Sequence, residues 1–81
     1  MKARYSDNFV DSLEEASPLI QKAFYKQLHF LLENLRHPSL HAKKYDETGN
    51  IWQARVTGNW RFYFTIKNNI YYLLEIKSHP K

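Results

Sequence analysis

Two hydrophobic periods divide this chain. Between residues 8 and 36 apolar side chains recur every three or four positions, and between residues 51 and 78 they alternate with polar ones. The first spacing belongs to helices with one buried face, the second to half-buried strands. Ser6 or Asp7 can cap a helix beginning near residue 8, with Phe9, Val10, Leu13 and Ala16 roughly on one side. Ser17-Pro18 is a restart signal, a capping hydroxyl followed by proline at the first helical position. The second helix is predicted from about Pro18 to Arg36. Ile20, Phe24, Leu28, Leu31, Leu32 and Leu35 form its apolar stripe, widened by Leu19, Ala23 and Phe30. His37-Pro38 ends it, because the residue before a proline avoids the α region. Two helices with a short connection predict an antiparallel hairpin.

Residues 2–5 are predicted to make a short first strand, and residues 39–50 a loop. Three strands follow near 51–57, 60–67 and 70–78, with tight turns at Thr57-Gly58-Asn59 and Lys67-Asn68-Asn69. The expectation is an α/β (α+β) fold: a short N-terminal strand, a two-helix hairpin, then a three-stranded antiparallel meander packed on the helices. Alternation assigns Trp52, Ala54, Val56, Trp60, Phe62, Phe64, Ile66, Ile70, Tyr72, Leu74 and Ile76 to the core. The other face receives Gln53, Arg55, Arg61, Tyr63, Tyr71, Glu75, Lys77 and His79, with Leu73 as its odd apolar member.

Length and composition narrow the class. A chain of 81 residues fits one domain over 1–81, and a chain this short buries only about 60–65% of its unfolded surface. The 16% aromatic fraction offsets that with large buried rings. No cysteine is present, which excludes disulfides, thiolate metal sites and cysteine nucleophiles. The N-terminus has no apolar signal stretch and no run approaches a membrane span, so a cytoplasmic location without membrane contact is expected.

Charge changes the picture more. Residues 1–40 carry five basic and five acidic side chains, so the whole net charge of +4 lies in residues 41–81. Such asymmetry suits a nucleic acid or an acidic protein partner. There is no Gly-rich phosphate loop and no HExxH pattern. His29, His37, His41 and His79 are scattered, so neither a metal nor a cofactor is expected. What remains is a cationic and aromatic surface. Arg61, Arg55, Lys43, Lys44 and Lys77 are candidate phosphate contacts, with His41 as an accessory one. Tyr63 or Tyr71 can stack on a base. A metal-free ribonuclease needs a base for the 2′-hydroxyl, positive groups for the phosphorane and an acid for the 5′-oxygen. His79 is the titratable candidate and Arg61 the electrostatic stabiliser. Glu75 is either the base or the partner that orients a neighbouring basic group.

The order of four segments resembles the RelE/ParE superfamily of bacterial type II toxins. They are Arg36-His37-Pro38-Ser39-Leu40-His41-Ala42-Lys43-Lys44-Tyr45, Ile51-Trp52-Gln53-Ala54-Arg55-Val56, Gly58-Asn59-Trp60-Arg61-Phe62-Tyr63-Phe64 and Tyr72-Leu73-Leu74-Glu75-Ile76-Lys77-Ser78-His79. They look like the family's proline–lysine segment after the second helix, its arginine strand, its "G-x-Y-R" strand and its basic final strand. The resemblance implies a ribosome-dependent mRNA endonuclease held inactive by a cognate antitoxin. It implies a phosphate contact at Arg61, basic positions at Arg55 and at Lys43 or Lys44, and an acid at His79 as in YoeB-like members. It also leaves open a ParE-like inhibitor of DNA gyrase and an inactive antitoxin-binding module. Gln53 fills a position that is basic in relatives, and the acidic base of YoeB-like members has no clear counterpart, although Asp46 and Glu47 lie nearby. A monomer is expected for the free protein and a hetero-oligomer with antitoxin.

Overall fold

The computed structural model describes residues 1–79. In chain order it contains β1 (Lys2–Tyr5), α1 (Asp7–Glu15), α2 (Pro18–Glu33), a 3₁₀ turn (Pro38–Leu40), β2 (Lys43–Asp46), β3 (Ile51–Arg55), β4 (Trp60–Lys67) and β5 (Ile70–Ser78). The strands form one sheet in the order β1-β5-β4-β3-β2. β1 runs parallel to β5 and every other pairing is antiparallel. The expected meander is therefore the middle of a five-stranded sheet. β1 joins one edge and residues 43–46, expected as loop, form the other. All four residues of β2 are exposed, so the strand carries no apolar alternation from which it could be read.

Both helices start where their caps predict. Ser6 Oγ accepts the Phe9 N–H at 3.0 Å, and Ser17 Oγ accepts the Ile20 N–H at 3.3 Å with Pro18 behind it. α2 stops at Glu33, three residues before the predicted end. Asn34 takes an extended conformation, and its side-chain oxygen accepts the Arg36 N–H at 2.9 Å, a local bond that competes with another helical turn. Leu19 and Leu32, expected in the apolar stripe, are exposed.

The helices cover one face of the sheet. Phe9, Phe24, Phe62 and Phe64 are fully buried there, with Leu31, Leu40, Leu73 and Ile76. Phe24 joins the layers, its ring centre 5.1 Å from Phe9 and 5.3 Å from Phe62, the latter edge to face. Gln27, the buried polar residue of α2, gives its amide hydrogens to Ser39 O at 3.0 Å and Arg55 O at 2.8 Å, while its Oε1 accepts the Ser39 hydroxyl at 2.9 Å. This amide ties α2, the 3₁₀ turn and the end of β3 together.

The faces of β5 correct the alternation. Tyr63 faces Glu75, but Phe64 faces Leu73, so Leu74 is an extra residue in a bulge. One extra residue reverses the parity of everything before it. Tyr71 and Leu73 consequently point into the core, at 2% and 0% exposure, and Ile70, Tyr72 and Leu74 are only half buried. The bulge is anchored: Leu74 O accepts the Ser6 hydroxyl at 3.1 Å and the Asn8 amide at 3.3 Å. Between β4 and β5, Asn68 and Asn69 both have positive φ (52° and 62°), as a two-residue type I′ turn requires.

Candidate nucleic-acid interface

The face of the sheet away from the helices carries the cations. Across β3 and β4, Arg55 lies directly opposite Arg61, and across β4 and β5 Arg61 lies opposite Lys77. Like charges in facing positions repel, so this row favours an anion set against it. Beside it a cleft of about 340 Å³ is lined by His41, Ala42, Lys43, Gln53, Arg55 and Arg61. Lys43 comes from edge strand β2, opposite Gln53. His41 comes from the end of the 3₁₀ turn, where its backbone is left-handed (φ 47°, ψ 43°).

The two arginines are held differently. Arg61 Nη1 donates to the carbonyls of Thr57 (2.7 Å), Trp60 (3.0 Å) and Gly58 (3.3 Å), which fixes the guanidinium by one corner to the β3–β4 turn. Arg55 Nε is buried and has no hydrogen-bond partner among the described residues. A buried guanidinium N–H without an acceptor is costly. Gln53, 7% exposed, closes the floor of the cleft with an uncharged amide.

Other expected residues lie elsewhere. Lys44 belongs to the opposite face of β2, its Nζ bonded to Asn50 Oδ1 and 5.3 Å from the centre of the Trp52 ring. Tyr71 is buried beneath the helices, so it presents no ring to a base; burial pushes its phenol pKa above the ordinary value. Tyr63 is on the cationic face but only 4% exposed. Tyr45 covers it edge-on at 4.9 Å, and Lys77 Nζ sits 5.2 Å from its ring centre. Burial raises its pKa, and the Lys77 and Arg61 charges oppose the rise. Tyr45, 58% exposed in the bulge of β2, is the ring available for stacking. Nothing in the sequence nominates it, since β2 lacks a periodic pattern. Glu75 sits 3.7 Å from Lys77 Nζ, so of the two roles open to it the geometry favours orienting a basic neighbour. His79 follows β5 outside the cleft lining, and its backbone N–H donates to Asn59 O at the turn that anchors Arg61. Of the predicted residues, the cleft thus collects Arg61, Arg55, Lys43 and His41.

A second depression, about 310 Å³, lies between the end of α1 and the β4–β5 end of the sheet, with Glu15, Trp60 and Lys77 in its wall. It lacks converging cations. Among the described residues no helix is long and apolar enough to cross a membrane.

No known family pattern matches this sequence. No curated protein matches it either. Solved structures do. The YoeB/ParE toxin from Agrobacterium tumefaciens superposes with a TM-score of 0.82 at 12% identity, over 99% of this chain and 100% of that one. A chain of the archaeal RelE–RelB complex from Pyrococcus horikoshii OT3 gives 0.76 at 17% identity, over 99% and 96%. A chain of the heterotetrameric YoeB–YefM toxin–antitoxin complex from Staphylococcus aureus gives 0.78 at 13%, over 96% and 95%. The chain has the same fold as these proteins along essentially its full length.

Proposed function

We propose that this chain, which has the fold of the RelE/ParE/YoeB toxins, is the toxin of a type II toxin–antitoxin pair and cleaves mRNA on the ribosome. The observation that carries the reading is the facing pair Arg55 and Arg61 beside Lys43 and His41, with a buried guanidinium N–H lacking an acceptor. Three clustered cations, one of them held by hydrogen bonds, suit an RNA phosphate. In the reaction the 2′-oxygen attacks phosphorus and the P–O5′ bond breaks, leaving a 2′,3′-cyclic phosphate and a 5′-hydroxyl. Arg55, Arg61 and Lys43 bear the charge that gathers on the phosphorane. His79, beyond Lys77 on the strand facing Arg61, is the acid for the leaving 5′-oxygen. Glu75 orients Lys77 at the rim, and Tyr45 rather than Tyr63 receives a base.

A cognate antitoxin as partner is supported by the solved toxin–antitoxin complexes of the same fold. A cytoplasmic site of action follows from this reading.

The test is primer extension on a reporter mRNA translated in a lysate, comparing wild type with Arg61→Ala and His79→Ala. New 5′ ends within codons, lost in both variants, support the reading and both assignments. Cuts that persist in both variants reject those assignments and keep the activity. An absence of cuts by folded wild type rejects the ribonuclease, and a supercoiling assay then tests inhibition of DNA gyrase.

A further inference from the structure

We infer that His41 is the general base of the cleft, taking the proton from the attacking 2′-hydroxyl. The inference rests on the ribonuclease reading and supplies the one part that reading lacks. The cleft lining offers few candidates. Lys43 and the two arginines carry donors and no acceptor, and the amide of Gln53 is not basic. No carboxylate lines the cleft, and Glu75 is engaged by Lys77. The imidazole of His41 is thus the only lining side chain with a lone pair able to accept a proton, and imidazole is the side-chain type that exchanges protons near neutrality.

The backbone supports the same assignment. His41 stands in the left-handed region at the junction of the 3₁₀ turn and β2, a conformation uncommon for a residue with a side chain. Its main-chain N–H, not its imidazole, makes the capping bond, to Pro38 O at 3.4 Å. The turn itself is pinned by Gln27 through Ser39 and by the His37 ring, whose Nδ1 accepts the Ser39 N–H at 3.1 Å. A rigid turn therefore presents an exposed imidazole at the mouth of a cationic cleft. His41 enters the cleft from the β2 side of the arginine row, and His79 follows the end of β5 on the other side of that row. Each proton is accounted for: the 2′-hydroxyl proton goes to His41, the O2′–P bond forms as P–O5′ breaks, and the 5′-oxygen takes its proton from His79.

The test uses ribosomes programmed with a short mRNA under single-turnover conditions. The variants are His41→Gly and His41→Asn, because glycine and asparagine both tolerate the left-handed backbone. Thermal unfolding is measured beside the rates to establish that both fold. The expected result is a loss of about 100-fold or more in cleavage rate for both variants. The acidic limb of the pH–rate profile should disappear, and added imidazole should restore part of the rate to His41→Gly. His79→Ala should instead lose the basic limb. Cleavage within a few-fold of wild type, or an unchanged acidic limb, overturns the assignment of His41 while leaving the ribonuclease intact. A wild type that cuts no mRNA overturns both.

Discussion

Arg61 is asked to do two things with one guanidinium. Its Nη1 closes the β3–β4 turn through three carbonyls, and the same residue lines the cleft. A lysine preserves the charge but has no planar fork to share between turn and phosphate. Arg61→Lys is therefore expected to lower the cleavage rate at least about tenfold and to cost about 1 kcal/mol of stability from the lost turn bonds, measured by single-turnover cleavage and urea unfolding. The tyrosines give a second prediction. Burial holds the pKa of Tyr71 above its unfolded value, and does the same for Tyr63 against the opposing Lys77 charge. A group that ionises later when folded stabilises the fold fully below its unfolded pKa of about 10 and loses that contribution as pH rises through the folded value. Tyr5 is shifted the same way, by burial and by the neighbouring Tyr25. Phenolate absorbance should thus show three tyrosines titrating late, with stability falling above about pH 10. At this scale the sequence was informative where a residue's face follows simple alternation, as for Gln53, Arg55 and Arg61. It misled at Tyr71, which an unseen bulge turned inward.

Ser6 shows how one element fixes another. Its hydroxyl accepts the Phe9 N–H to start α1 and donates to Leu74 O at the bulge of β5. Ser6→Ala removes the cap and leaves the bulge carbonyl with the Asn8 amide alone. The expected loss is about 2 kcal/mol, above that of an isolated cap, with more of it recovered by threonine than by glycine; denaturant unfolding measures both. Gln27→Leu should cost a similar amount by stranding Ser39 O and Arg55 O, roughly 1–3 kcal/mol, and should also slow cleavage, because the 3₁₀ turn and the end of β3 frame the cleft. Helix starts were legible because a capping hydroxyl and a proline act locally. The end of α2, the strand at 43–46 and the bulge were not. The first was decided by an Asn34 side-chain bond, the second by pairing with a neighbour, and the third by register between strands distant from any turn.

For the whole molecule, charge segregation sets what the proposed RNA binding should look like. The helical half is neutral and the sheet half carries the net charge, so binding should weaken linearly in log affinity with log salt. Removing one phosphate contact, as in Arg55→Ala, should reduce that slope by about one; fluorescence titrations of single-stranded RNA across salt concentrations measure it. The fold class was legible at this scale because two hydrophobic periods in sequence leave few ways to bury both. The closure of the sheet was not, since nothing local in Lys2–Tyr5 says which strand it will join.

That closure also governs assembly. β1, which precedes the helices, adds to the edge of the sheet beside β5, which follows them. While the chain is being synthesised, the apolar faces of α1 and α2 have no sheet beneath them until β4 and β5 emerge. Folding therefore awaits a contact between distant parts of the sequence, the kind that slows it. The cationic cleft on β3 and β4 thus acquires its rigid frame only once β5 has been made and the sheet can assemble beneath the helices.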